Sequence, residues 1–245
     1  MSIWGKVIGG VAGFAIGGPL GALLGAVAGH AMDRVRVRGR TAGPPPPQIR
    51  QSVVAVAVIV LGAKMAKADG RVTRDEIDAF KEVFQIPAGE MRDVARLFNE
   101  ARREAEGYEP YAKQLGAMFA HQPNILENLL GGLFHVALAD GVVHPSEIKF
   151  LQRIAHAFGF DDTTFDRIRS TFMGSDDTDP YALLGVTRET SNDDIKAAYR
   201  KLIRENHPDT LIAQGLPQEF IDVANEKMAA INSAYDRIEK ERSLP

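Results

Sequence analysis

Pro208 constrains this chain more than any other single residue. It has no N–H for a helix that reaches it, and it drives the residue before it out of helical geometry. The helical pattern ahead of it must therefore stop at about Asn206. That pattern opens at Ser191, an N-cap serine with Asp193 and Asp194 behind it, where the positive end of the helix dipole favours carboxylates. In between, Ile195, Ala198, Tyr199, Leu202 and Ile203 recur at helical spacing as one apolar stripe. Lys196, Arg200 and Arg204, four apart, form a basic stripe on another face with Lys201 beside it. A second helix follows Gly215-Leu216-Pro217, with Pro217 near its first turn, Glu219, Asp222 and Glu226 early, and Phe220, Val223, Ala224, Ile231, Tyr235 and Ile238 directed inward. The pattern predicts two antiparallel helices holding a loop that presents His207, Pro208 and Asp209. Ahead of both, Asp179 caps a short helical turn with Pro180 at its first position and Gly185 as its stop.

Three stretches of this segment, in order, resemble the J domain of DnaJ-type co-chaperones. They are Asp179-Pro180-Tyr181 running to Leu184-Gly185-Val186, the run Ala198-Tyr199-Arg200-Lys201-Leu202 ahead of His207-Pro208-Asp209, and Ile231-Asn232 with Ala234-Tyr235. The resemblance implies a J domain over residues 175–245, a helical hairpin whose His207-Pro208-Asp209 loop and basic face of Lys196, Arg200, Lys201 and Arg204 dock on a DnaK-type ATPase and speed its ATP hydrolysis. It also implies that the segment itself catalyses nothing. Thr210 departs from the basic residue usual at that position in the family. Charge points the same way: residues 175–245 hold nine Lys or Arg against fourteen Asp or Glu, yet Lys196–Glu205 holds four basic residues and one acid. A basic face on an acidic module suits an acidic protein partner and argues against nucleic acid.

At the other end, Val7 to Gly29 is a run of 23 residues without a charge, longer than the ~20 a helix needs to cross the hydrocarbon core. Gly9, Gly13, Gly17, Gly21, Gly25 and Gly29 recur every fourth residue, a ladder that lets two membrane helices approach closely. The expectation is a glycine-zipper transmembrane helix at about residues 7–29 within an anchor of residues 1–33, and a homodimer through it. Arg34, Arg36, Arg38 and Arg40 follow the span and Lys6 precedes it, which places the N-terminus outside and the later domains in the cytoplasm. The order of a Trp-Gly-Lys start, a glycine-rich span, a middle domain and a J domain resembles the DjlA-like family of membrane-anchored bacterial co-chaperones, which implies the inner membrane.

Residues 34–48 are basic and then proline-rich, and Pro44 to Pro47 predict a short extended spacer. From 49 to 174 the chain repeats itself: Ala68-Asp69-Gly70 to Glu76-Ile77 aligns with Ala139-Asp140-Gly141 to Glu147-Ile148 at an offset of 71. Each copy reads as an apolar helix, an Asp-Gly turn and a capped helix, Thr73 with Glu76 as a capping box and Pro145 at N1 after His144. Val53 to Ala63 is β-branched enough to pass for a strand, but its repeat partner at 124–139 has helical periodicity, so both are read as helices. At 11 apolar residues it is too short to span a membrane. Further helices at Pro87–Glu106, Glu109–His121 and Thr163–Phe172 make an all-α domain of about seven helices. Its doubled Ala-Asp-Gly element resembles the TerB (tellurite-resistance) domain, which implies acidic sites for divalent metal or protein binding.

Asp69 and Glu76, with Asp140, His144 and Glu147, are the candidate ligands for such a cation. The same residue types follow equally from turn and capping-box chemistry. His121, His135 and His156 read as core or surface residues, and Met91, Met118 and Met173 as helix filler. The chain has no cysteine, which excludes disulfides and thiolate metal sites. No activated nucleophile or phosphate loop accompanies His207 and Asp209, so the chain reads as no enzyme. Two functions stand: a membrane-anchored co-chaperone without cofactor, or a metal or stress-response adaptor in which the J domain only recruits chaperone.

Overall fold

A computed structural model describes Leu20 and residues 47–68, 74–103, 107–139, 141, 143–174 and 178–243. The glycine ladder from Gly9 to Gly29, the arginines after it, and Asp69 and Asp140 lie outside those residues, as does the side chain of Glu76. Every described element is helical, and no helix among them is long and apolar enough to cross a membrane.

The first helix, α1 (Pro47–Ala68), starts inside the segment read as a proline spacer, because proline fits the first turn, where its missing N–H costs nothing. Val53 through Leu61 are each 0% exposed, so α1 is apolar on every side and must be wrapped. Six helices complete the middle domain: α2 (Arg74–Val83), α3 (Met91–Arg103), α4 (Glu109–Met118), α5 (Pro123–Ala137), α6 (Pro145–Phe158) and α7 (Asp162–Met173). Of these, α3, α4, α5 and α6 pack directly on α1. Among the described residues this part holds seven helices, and the β-branched run is helical because burial on all sides overrides its strand propensity.

The C-terminal part holds α8 (Pro180–Leu184), α9 (Asn192–Asn206), α10 (Pro208–Gln214), a 3-10 turn (Gln218–Phe220) and α11 (Ile221–Arg242). Its caps follow the sequence. Ser191 Oγ accepts from the Asp194 N–H at 3.2 Å, Asp179 Oδ1 accepts from the Tyr181 N–H at 3.2 Å, and Gly185 closes α8 at φ 69°. A small core of Tyr181, Leu183, Leu184, Ile195, Ile231, Ala234 and Ile238 joins α8, α9 and α11. Tyr199 stacks on Tyr235 at 4.1 Å between the long helices, and Arg188 and Arg242 lie over the Tyr181 ring.

Two sequence expectations change here. His207-Pro208-Asp209 stands between the two long helices as expected, but the connection is itself partly helical: α9 ends at Asn206 and Pro208 at once occupies the first position of α10, with His207 as its N-cap. Phe220 and Ala224 do point inward, but into the middle domain's core, together with Leu211 and Leu216. Phe220 meets Phe84, the residue just after α2, at 5.0 Å, and Gly132 of α5 makes room for the pair, since a Cβ there would stand 2.9 Å from the Phe84 ring.

A buried ion cluster completes this junction. Lys227 of α11, 2% exposed, donates to Glu127 of α5 at 2.6 Å, and Arg167 of α7 donates to the other carboxylate oxygen at 2.5 Å. Burial alone would push the Glu127 carboxyl up, but the two cations overcome it and hold it down to about 2. Burial pushes Lys227 down, with Glu127 opposing. Removing the carboxylate would leave two cations buried without their anion. Glu127→Ala should therefore cost about 3 to 5 kcal/mol in urea unfolding. Because the folded carboxyl titrates below its ordinary 4.5, its contribution is complete above that pH and is lost as the pH falls toward about 2. Glu127→Gln should remove that acid-dependent component of the urea midpoint, and an unchanged pH profile would contradict the assignment.

Candidate functional site

The site is built from the end of α9 and the start of α10. Pro208 locks φ and forbids a continuous helix, so the chain turns sharply at His207, whose backbone is extended at φ −61°, ψ 132°. The imidazole caps the new helix: His207 Nδ1 accepts from the Asp209 N–H at 3.2 Å. An accepting Nδ1 leaves the ring proton on Nε2, as a donor directed away from the cap. Asp209 Oδ2 lies 3.8 Å from the same Nδ1, and its side chain is 90% exposed against 50% for His207. The turn therefore offers one imidazole N–H and one free-standing carboxylate to a partner, held by a short hydrogen-bonded frame.

The basic stripe lies on the same surface. Arg200, Lys201 and Arg204 are exposed and Lys196 is half-buried, while Ile195 on the other side of α9 is fully buried. Among the described residues no ion pair engages Arg200 or Arg204, and Lys201 only approaches Glu205, at 4.0 Å. Tyr199, Arg200, Ile203, Arg204, His207 and Thr210 line one open groove of about 320 Å³. Its floor is apolar and its rim cationic, which suits an acidic protein surface carrying an apolar anchor. Of the seven residues singled out from sequence, Arg200, Arg204 and His207 line the groove together with Thr210, and Lys196, Lys201, Pro208 and Asp209 stand outside its lining.

The metal candidates divide differently. Asp69, the Glu76 side chain and Asp140 lie outside the described residues. His144 is exposed, and Glu147 is buried with its Oε2 accepting from the His144 backbone N–H at 2.9 Å, the second half of a capping box. Among the described residues no three His, Asp or Glu side chains are grouped to hold a metal ion. His121 is exposed, His135 pairs with Glu226 at 2.6 Å, and His156 pairs with Asp162 at 2.9 Å, positions at the surface or the domain junction.

Sequence reasoning missed the residues that seat the site on the middle domain. Asn124 of α5 donates from Nδ2 to the Glu205 carbonyl at 2.7 Å and to Gln214 Oε1 at 2.9 Å. Gln51 of α1 donates to the Leu216 carbonyl at 3.4 Å, and Gln85 donates to Asp222 at 2.8 Å. One signal was legible: Ala224, Lys227, Ile231, Ala234 and Ile238 follow one interior stripe, so Lys227 stands where only a paired charge can be buried.

Comparison with known proteins bears on all three parts. Residues 1–42 match the model of the co-chaperone DjlA transmembrane domain, residues 55–170 that of tellurite resistance protein TerB, and residues 179–243 that of the DnaJ domain. The chain is 34% identical over 269 residues to co-chaperone protein DjlA of Shewanella oneidensis, covering 100% of both chains. It is 32% identical over 284 residues to that of Vibrio cholerae and 32% over 270 residues to that of Coxiella burnetii, again covering 100% of each. No solved structure matches. End-to-end identity with three matched domains in the same order places the chain in the DjlA family of J-domain co-chaperones.

Proposed function

We propose that this protein is a membrane-anchored regulator that stimulates ATP hydrolysis by a cytosolic DnaK-type chaperone and recruits it to clients at the inner membrane. The observation that carries the reading is the juxtaposition of His207 with the exposed Arg200 and Arg204 of α9 around one groove, with Asp209 exposed beside it. The protein's part is recognition: a donor, a carboxylate and a cationic rim bind an acidic face of the ATPase, and the ATPase does the chemistry. The match of residues 1–42 to a transmembrane domain supports the anchor, with the arginines after the span favouring an outside N-terminus and cytoplasmic working domains. The glycine ladder supports self-association of that helix in the bilayer.

The His207 ring makes both the cap of α10 and the outward donor, so His207→Gln should reduce stimulation of a DnaK-type ATPase to background while far-UV circular dichroism stays unchanged. Stimulation at the wild-type level would remove the turn from the docking site. Reversing Arg200 and Arg204 to Glu should raise the concentration for half-maximal stimulation about tenfold or more at low salt, by placing like charges against an acidic partner. The wild-type interaction should itself weaken as salt shortens the screening length. A wild-type interaction indifferent to salt would refute the cationic rim.

A further inference from the structure

The site described above is not supported by the J domain alone. At the end of any helix the last carbonyls have no intrahelical donor. In a continuing helix the Glu205 carbonyl would take the Asp209 N–H, but the chain breaks at Pro208 and that N–H goes to His207 Nδ1 instead. The donor comes from the other domain: Asn124 Nδ2 reaches the Glu205 carbonyl at 2.7 Å. Its second N–H goes to Gln214 Oε1 at 2.9 Å, on the last residue of α10. One amide of the middle domain therefore ties the helix before the His207-Pro208-Asp209 turn to the helix after it. Three residues further along the same face of α5, Glu127 takes Lys227 of α11 at 2.6 Å. Helix α5 thus grips α9, α10 and α11, while Arg200, Arg204, His207 and Asp209 stay exposed.

We propose that Asn124, backed by Glu127, is a positioning residue for the His207-Pro208-Asp209 turn, so that the middle domain is a working part of the chaperone-docking surface and not merely a spacer between it and the anchor. The inference rests on the co-chaperone reading above for its functional half. Its structural half stands on the hydrogen bonds themselves. A turn held in one geometry binds with its full intrinsic affinity. A turn that samples others binds more weakly by the fraction of time it spends in the competent form, and reaches the same effect at saturation.

Asn124→Asp is the discriminating variant. Asn124 is the second residue of α5, where a carboxylate suits the helix dipole, so α5 is not weakened. The change replaces a two-proton donor with an acceptor facing two oxygens. Two measurements are made on the full-length chain in detergent micelles. In a titration of DnaK-type ATPase stimulation, the half-maximal concentration should rise about tenfold with the plateau unchanged. Hydrogen exchange should accelerate at the Asp209 and Leu211 amides, which bond to His207 in the folded turn. If the wild-type protein stimulates and the two titrations superimpose, the positioning role is overturned, and a lowered plateau likewise overturns it. If the wild-type protein fails to stimulate, the co-chaperone reading falls. The exchange rates, which need no chaperone, then decide the clamp: acceleration upholds it and unchanged rates overturn it.

Discussion

A helix that is apolar on every side cannot rest on a surface; it has to be enclosed. Val53 to Leu61 of α1 are wholly buried, and that one requirement organises the molecule. Four helices pack on α1. Leu211, Leu216, Phe220 and Ala224 from the C-terminal part are members of the same core and close the seam between the two parts, where α10 and α11 meet α5 and α11 meets α7. The two domains matched by separate family models therefore share one hydrophobic interior, even though the J domain also keeps a small core of its own around Tyr181 and Ile195.

Apolar contact sets how strongly such a seam closes, and it is tolerant of direction. The Glu127 carboxylate supplies the direction, because it accepts from Lys227 and Arg167, which come from different helices, and each of the three would be costly to bury alone. Such a cluster is satisfied in one docking geometry and leaves charges stranded in others. Asn124 then extends that geometry to the end of α9, within two residues of His207. The middle domain and the His207-Pro208-Asp209 turn are in this way linked, so the orientation of the turn follows the orientation of α5.

Much of this was legible in the sequence, and the reasons differ by element. Ser191, Asp179, Gly185 and Pro208 each have local physics strong enough to place a cap or a break, and the structure puts them there. The internal repeat identified Val53 to Ala63 as helix where propensity alone favoured a strand. The short helix α10 inside the connection was not legible, because Pro208 signals both the end of one helix and the start of another and only spatial context shows both acting. Phe220 and Ala224 were correctly read as inward, but a periodicity reports that a face is covered and not by what. Asn124 carried no signal at all: a polar residue at a helix start has a sufficient local explanation, and its partners at Glu205 and Gln214 are brought to it only by the fold.

The central claim is that the J domain is seated in a single orientation on the middle domain. The chain has no cysteine, so a spin label at each of two introduced ones, replacing the exposed Lys149 of α6 and Asp236 of α11, reports on that seat without interference. The account predicts one narrow distance distribution between the labels by pulsed electron paramagnetic resonance, broadened when Glu127 is also replaced by Ala. A broad distribution in the protein with Glu127 intact would show a J domain that swings on its linker, and would contradict the shared core and everything built on it.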